Sequence, residues 1–205
     1  MSESMQGLHR THRCTETVNA ELGTPGLEAD DLIGSMIEKW KEDAQITVVS
    51  GDKDLLQLLN PSTTIAFTKK GYTEYDVYTE ARFVEEYGIT PNQFAEVKAF
   101  MGDSSDGYPG VKGIGPKTAL QLIQNHGSID GVLAALSTLK PGQRTKISEN
   151  EEMLRLSHKL AKIHCEAEIA ADLESLRLTE YTPTLFNTIE TSGYRLIAKH
   201  ARSIY

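Results

Sequence analysis

Cysteine is nearly absent from this chain: Cys14 and Cys165 are the only two in 205 residues. Far apart and without paired spacing, they indicate neither a disulfide framework nor a cysteine-rich zinc site, which suits a reduced compartment. Long apolar runs are missing too. The longest, such as Ile46-Thr47-Val48-Val49, are strand-sized and far short of the roughly 20 residues that cross a bilayer. No signal peptide precedes them. The expectation is a cytoplasmic protein with no membrane partner. A basic excess is also lacking. The formal net charge is −8, whereas proteins that grip nucleic acid usually carry surplus Lys and Arg. The sum conceals the distribution, because Lys112, Lys117, Lys140, Arg144 and Lys146 share one segment. An acidic protein with one basic face remains open. Repeats and low-complexity tracts are absent as well.

What the chain does have is acid in short clusters. Glu28-Ala29-Asp30-Asp31, Asp52-Lys53-Asp54 and Asp103-Ser104-Ser105-Asp106 follow one another, and the third leads into Gly110-Val111-Lys112-Gly113-Ile114-Gly115-Pro116-Lys117-Thr118. Carboxylates held close repel one another unless cations neutralise them, and hard cations such as Mg²⁺ select oxygen ligands. A glycine-rich turn that opens a helix offers backbone N–H groups, and here a lysine, to a phosphate. Acids for metal beside a turn for phosphate point to phosphodiester chemistry.

The rest of the chain places these motifs. Residues 1–25 read as a tail ending in a turn, Gly23-Thr24-Pro25-Gly26. Leu32, Ile33, Met36, Ile37 and Trp40 repeat at helical spacing, so the first acids lie at a helix start, where they suit its dipole. Ile46 to Val49 reads as a buried parallel strand, with Asp52 and Asp54 at its C-terminal end. A short helix through Leu55, Leu56, Leu58 and Leu59 stops at Asn60-Pro61. Thr63 to Thr68 and Thr73 to Tyr78 read as a hairpin, followed by helices over Glu80 to Tyr87 and Pro91 to Met101, the latter capped by Thr90. Strands alternating with helices indicate an α/β sheet, whose ligand crevice lies beyond the C-terminal strand ends. From residue 107 the pattern is helical, over Lys117 to Asn125, Ile129 to Leu136 and Asn150 to His164. The expected organisation is a tail (1–25), the C-terminal part of an α/β core (26–106), a helical subdomain (107–165) and a packing segment (166–205).

Two cations about 4 Å apart can activate water, orient a phosphate and stabilise a leaving oxygen. Asp30, Asp31, Asp52 and Asp54 are the candidate inner ligands, with Asp103 and Asp106 opposite and Glu28 near the helix start. Any one cluster alone reads as ordinary helix-start acids or a solvated turn; three at element ends favour metal. The glycine turn alone reads equally well as a tight interhelical connection. A nucleotide-binding P-loop is excluded, since Pro116 separates Gly115 from Lys117 and no apolar strand leads in. His9, His12 and Cys14 lack a fourth partner and read as coincidence. Tyr72, Tyr75 and Tyr78 could stack bases, although hairpin packing explains them more simply.

Together, Glu28-Ala29-Asp30-Asp31, Ser50-Gly51-Asp52-Lys53-Asp54, Met101-Gly102-Asp103-Ser104-Ser105-Asp106 and Pro109 to Ala119 resemble the 5′-3′ exonuclease domain of bacterial DNA polymerase I and related phage exonucleases and flap endonucleases. The likeness runs from about Pro25 to Cys165. It implies a PIN-like α/β nuclease core followed by a helix-three-turn-helix subdomain that grips duplex DNA. It further implies that Glu28, Asp30, Asp31, Asp52, Asp54, Asp103 and Asp106 bind or support two or more Mg²⁺ or Mn²⁺ ions. Lys112, Gly113, Ile114, Gly115, Lys117 and Thr118 would contact the DNA backbone, with a K⁺ ion on the turn carbonyls in some members. The implied reaction is hydrolysis by water at DNA 5′ ends or flaps, in DNA replication and repair.

The chain departs from this pattern at its start. Members of the family carry, before the first acidic motif, a strand with a metal-binding Asp and a Lys/Arg-rich arch. Here no Asp precedes Asp30, and only Arg10 and Arg13 supply firm positive charge there. The chain thus resembles a member lacking its N-terminal part. Gly107 stands where relatives often have Asn. Two alternatives stay open: a DNA-binding fragment with impaired catalysis, and an Asp-nucleophile phosphotransferase using Asp52, with Asp54 as acid/base.

Overall fold

The computed structural model describes residues 22–70 and 74–177. Leu27–Glu168 forms one compact unit, while residues 22–26 and 169–177 fall in a second. In the second unit a small turn is held by Ser175 N–H donating to Asp172 Oδ1 at 2.7 Å. The expected tail turn at Gly23 to Gly26 lies there too. Most of the expected tail, the hairpin connection at Gly71-Tyr72 and the packing segment from Pro183 onward lie outside the described residues.

The main unit opens with α1 (Ala29–Trp40), started by a capping box in which Glu28 and Asp31 exchange side-chain and backbone hydrogen bonds. Its apolar face buries Leu32, Ile37 and Trp40. Then come β1 (Ile46–Ser50), a 3₁₀ segment (Lys53–Leu58), β2 (Thr63–Lys70) and β3 (Glu74–Tyr78). The order is β1-β2-β3. β1 and β2 are parallel, pairing Ile46 with Thr63 through Ser50 with Phe67, and β2 and β3 are antiparallel.

The expected parallel direction of β1 is found, but the expected burial is not. β1 has a single neighbour among the described residues, and its side chains alternate between half-buried and exposed, with Val49 57% exposed. A parallel strand is buried only where helices cover both faces of the sheet; here Ile46, Val48, Ile65 and Phe67 face the core, and Val49 does not. The expected short helix after β1 is a 3₁₀ segment. Tyr78 packs edge-on to Phe67 at 5.7 Å and donates to Glu86 at 2.9 Å, so packing accounts for it.

The helices follow in sequence: α2 (Glu80–Tyr87), a 3₁₀ turn at Pro91–Gln93, α3 (Phe94–Met101), α4 (Pro116–His126), α5 (Ile129–Ala134), a 3₁₀ turn at Leu136–Thr138, α6 (Pro141–Glu149) and α7 (Glu151–Ala161). Two expectations need correction. Pro91 to Met101 splits into a 3₁₀ turn and a helix, because Thr90 and Gln93 form a capping box that tightens the first turn. The expected helix from Asn150 to His164 ends at Ala161, where Lys162 turns extended.

α3 is the hub. Phe94, Ala95, Val97, Lys98, Ala99 and Phe100 are all buried, and the helix packs against α4 and α7. Buried Gln57 stitches the 3₁₀ segment to the end of α7. Its amide donates to Ala161 O and its carbonyl oxygen accepts from Ile163 N–H, both at 3.0 Å.

Candidate metal centre

Three elements bring carboxylates around one cavity of about 830 Å³. The start of α1 contributes Glu28, Asp30 and Asp31, the end of β1 contributes Asp52 and Asp54, and the loop after α3 contributes Asp106. Tyr108 and residues 159–164 close the wall. This is the C-terminal end of the parallel pair, where ligands of α/β sheets bind.

The carboxylates fall into two sets. Ligand oxygens of Asp54, Asp103 and Asp106 lie within 4.8 Å of one another, and among the described residues this is the one such grouping. At its base is a residue that the sequence reading missed. The Lys98 side chain is only 8% exposed; its Nζ lies 2.7 Å from Asp54 Oδ1 and also contacts Asp103 Oδ2. Burial alone would lower the Lys98 pKa, but the hydrogen bonds to Asp103 and Asp54 outweigh it and hold the ammonium above the usual lysine range. Conversely, Lys98, with help from Ser105, holds the Asp103 carboxyl well below the usual carboxylate range. Asp54 moves the other way. Burial raises its pKa, the like charges of Asp52 and Asp106 add to that, and Lys98 offsets only part. One signal was available in the sequence: Lys98 is a lone cation on the inner face of Phe94-Ala95-Glu96-Val97-Lys98-Ala99-Phe100, and a buried lysine demands acidic partners.

The second set is spread along the opposite wall. Asp31 is committed to structure, with Oδ1 accepting from His164 N–H at 2.9 Å and Oδ2 accepting from Glu28 N–H at 3.3 Å. Asp52 Oδ1 accepts from Asp54 N–H at 2.8 Å and caps the 3₁₀ segment. Asp30 is half-buried. Its pKa is raised by that burial and by the charges of Asp31 and Asp52. Glu28 is exposed.

The acidic loop joins the glycine turn through two facing glycines. Asp103 and Tyr108 exchange backbone hydrogen bonds at 2.9 and 3.0 Å, bending the chain back on itself. A Cβ on Gly102 would lie 2.5 Å from the Pro109 carbonyl carbon, and one on Gly110 would lie 2.3 Å from Gly102 N. Both have positive φ, +73° and +62°, so glycine is required twice over. In the turn Val111 and Ile114 are buried, whereas Lys112, Gly113, Gly115 and Lys117 are exposed and Thr118 is half-buried. The Ile114 side chain therefore serves the core, and only its backbone is left for a ligand. α4 starts from Gly115 with Pro116 in its first turn. Neither offers a side-chain cap, so the N–H groups of Lys117 and Thr118 point out of the helix end. Lys146, on α6, donates to Gly113 O at 3.3 Å and adds a cation beside the turn.

With this geometry in hand, comparison with known proteins is specific. The family models of the 5′-3′ exonuclease N-terminal resolvase-like domain and C-terminal SAM fold match residues 4–88 and 89–184, respectively. The chain belongs to the 5′-3′ exonuclease family. It is 48% identical over 158 residues to a 5′-3′ exonuclease of Bacillus subtilis, a match covering 77% of this chain and 53% of that protein. DNA polymerase I of Bacillus caldotenax is 41% identical over 152 residues, 73% of this chain and 17% of the polymerase. The chain thus spans about half the length of the first relative and a sixth of the second. Among solved structures, a bacteriophage T5 flap endonuclease in a pseudo-enzyme-product complex with DNA and metal ions shares the fold. Its TM-score is 0.62 at 20% identity, over 100% of this chain and 71% of that one. The two family models meet at 88/89, ahead of the change of character read after Asp106 in the sequence. No described helix is long and apolar enough to cross a membrane.

Proposed function

We propose that this chain carries the metal-dependent 5′-3′ exonuclease and flap-endonuclease chemistry of its family, hydrolysing DNA phosphodiesters at 5′ ends or flaps in the cytoplasm. One observation carries the reading: the convergence of Asp54, Asp103 and Asp106 within 4.8 Å, with Asp54 and Asp106 lining the acid-rich cavity. The donor set fits a hard divalent cation such as Mg²⁺ or Mn²⁺, being all carboxylate oxygen, with Asp30 and Asp52 available on the facing wall. When bound, such ions supply charge stabilisation and an activated water.

The chain's own residues do the rest. Lys98 fixes the Asp54 and Asp103 carboxylates at one edge of the cluster and leaves Asp106 exposed. Asp31 and Gln57 anchor the 161–164 wall, so the cavity keeps its shape. The N–H groups of Lys117 and Thr118, with the Lys112, Lys117 and Lys146 side chains, hold backbone phosphates of the duplex and orient its end towards the cavity. A K⁺ ion at the turn would compete with Lys146 for the Gly113 carbonyl. A phosphotransferase using Asp52 is the weaker account, because that carboxylate is spent on capping its own turn.

Cleavage of a 5′-labelled flap duplex by the 205-residue chain with Mn²⁺, beside Asp54→Asn and a duplex-binding assay, tests the proposal. Cleavage lost in the variant with binding kept is the expected result. A second reading, a DNA-gripping chain without chemistry, is favoured by the Lys98 ammonium, which already neutralises two of the three clustered acids. Binding with no cleavage by the unsubstituted chain selects it.

A further inference from the structure

The family resemblance implies a K⁺ ion on the carbonyl oxygens of the glycine turn in some members, and the turn of this chain does not fit one. Its oxygens already have donors. Gly113 O accepts from the Lys146 ammonium at 3.3 Å, Val111 O accepts from Ile114 N–H at 3.0 Å, and Gly115 O accepts from Ala119 N–H at 2.9 Å. A carbonyl-bound K⁺ exchanges its hydration shell for several such oxygens at once, and here it would also meet an ammonium of like charge. The turn is shaped around that ammonium. Gly113 has a φ of +80°, and a Cβ there would lie 2.5 Å from Lys146 Nζ and 3.3 Å from its Cε, so glycine permits both the backbone conformation and the close approach of the lysine tip. The next residue delivers the lysine. Ile147 is wholly buried in the same apolar cluster as Val111 and Ile114, which sets residue 146 beside the turn. Lys146 itself is exposed and has no carboxylate partner among the described residues. An ammonium offers three donors. Gly113 takes one, and the others are left for an anion from outside.

We propose that Lys146 is a tethered cation of the glycine turn: its ammonium bridges the Gly113 carbonyl and a DNA backbone phosphate, so that duplex binding by this chain requires no K⁺. This deepens the reading of the turn as the phosphate contact and rests on it. A cation carried on α6 is present at a high effective concentration whatever the surrounding salt. It also behaves as a fixed charge. On neutralising a phosphate it releases counterions from the duplex and adds its share to the salt dependence of binding. Lys146 is a binding residue on this account, remote from the carboxylates and without a part in the chemistry.

The test measures duplex binding by anisotropy with the full chain in EDTA, so that nothing is cleaved, at matched ionic strength in KCl and in tetramethylammonium chloride, whose cation is too large for a carbonyl site. The unsubstituted chain should bind equally in the two salts, within about 2-fold, because counterion release depends on charge rather than on the identity of the ion. Lys146→Gln should bind on the order of 10-fold more weakly in tetramethylammonium and lower the slope of log K against log salt by about 0.9. With the ammonium gone, KCl should restore part of the loss. The comparison of salts on the unsubstituted chain needs no variant, so it stands whatever the substitution does to stability. A fall of about 5-fold or more when K⁺ is withdrawn from the unsubstituted chain means that the turn holds a mobile ion; this overturns the inference and leaves the turn standing as the DNA contact. Unchanged affinity and slope in Lys146→Gln overturn it as well. No duplex binding by the unsubstituted chain in either salt overturns both the inference and the reading of the turn.

Discussion

The two walls of the cavity carry similar numbers of acids and manage them by opposite means. On the α3 side, Asp54 and Asp103 are partly buried and share a buried ammonium; on the α1 side, Asp31 and Asp52 bind backbone N–H groups, and Asp30 accepts one from Asp31 yet keeps a pKa raised by burial and by its neighbours' charges. The lesson is that a carboxylate in a metal-ready cluster is not stabilised by default. Asp31, Asp52 and Asp103 have protein partners that hold their charge without a metal, whereas Asp30 and Asp54 keep a raised pKa despite theirs and have the most to gain from a cation.

The largest expected effect comes from removing the ammonium. Lys98→Met leaves two part-buried acids without a counter-charge, and breaking such a pair costs about 3–5 kcal/mol. Urea unfolding in EDTA checks it. The difference from the unsubstituted chain depends on pH with a definite sign. Asp103 titrates below its unfolded value, so its contribution is fully present above the ordinary carboxylate pKa of about 4 and is lost as pH falls through its folded value. Lys98 titrates above its unfolded value and contributes fully below about pH 10.4. The gap between the two proteins is therefore full at neutral pH and narrows on acidification. Added Mn²⁺ should restore part of the loss in the variant, since a divalent ion takes the place of the ammonium.

Next in size is Asp54→Asn, which removes a proposed ligand. Cleavage should fall by on the order of 100-fold or more while duplex affinity, measured by anisotropy, stays within about 2-fold. Loss of both activities together would mean that the two regions are not separable. Lys117→Ala acts on the other region. It should weaken duplex binding of any sequence alike and reduce the slope of log K against log salt by about 0.9, one phosphate contact's worth. An unchanged slope would move the DNA contact elsewhere.

The smallest effect sharpens the contrast within the cavity. Asp30→Asn removes a charge whose folded pKa is raised, so in EDTA the variant should melt about 1–2 °C higher. A raised carboxylate penalises the folded state only while it is ionised. The gain should therefore vanish as pH falls below the unfolded value, and it should reverse in Mn²⁺ if Asp30 supports the ion.

Much of this was readable in advance, for reasons that differ by residue. The acid clusters and the glycine turn stand out because their chemistry is concentrated in short runs, and α1, β1 and α4 follow from period and capping within a dozen residues. α6 escaped because only Ile147 of its nine residues is buried, which leaves no apolar period to read. Gln57 escaped because its partners lie across the fold, 104 and 106 positions away. The division of the acids into two sets was invisible for the same reason.

Sequence by itself determined which oxygens are available, in what order, and that a glycine-rich turn opening a helix follows the third cluster. Local spacing dictates those things, and glycines at Gly102 and Gly110 permit the backbone to comply. Only the tertiary structure decided that Asp54 joins Asp103 and Asp106 rather than Asp52 or Asp30, and that β1 is exposed on one face. The physical reason is that pairing and burial are set by distance in space. A lysine on a buried helix recruits whichever carboxylates the chain brings to it.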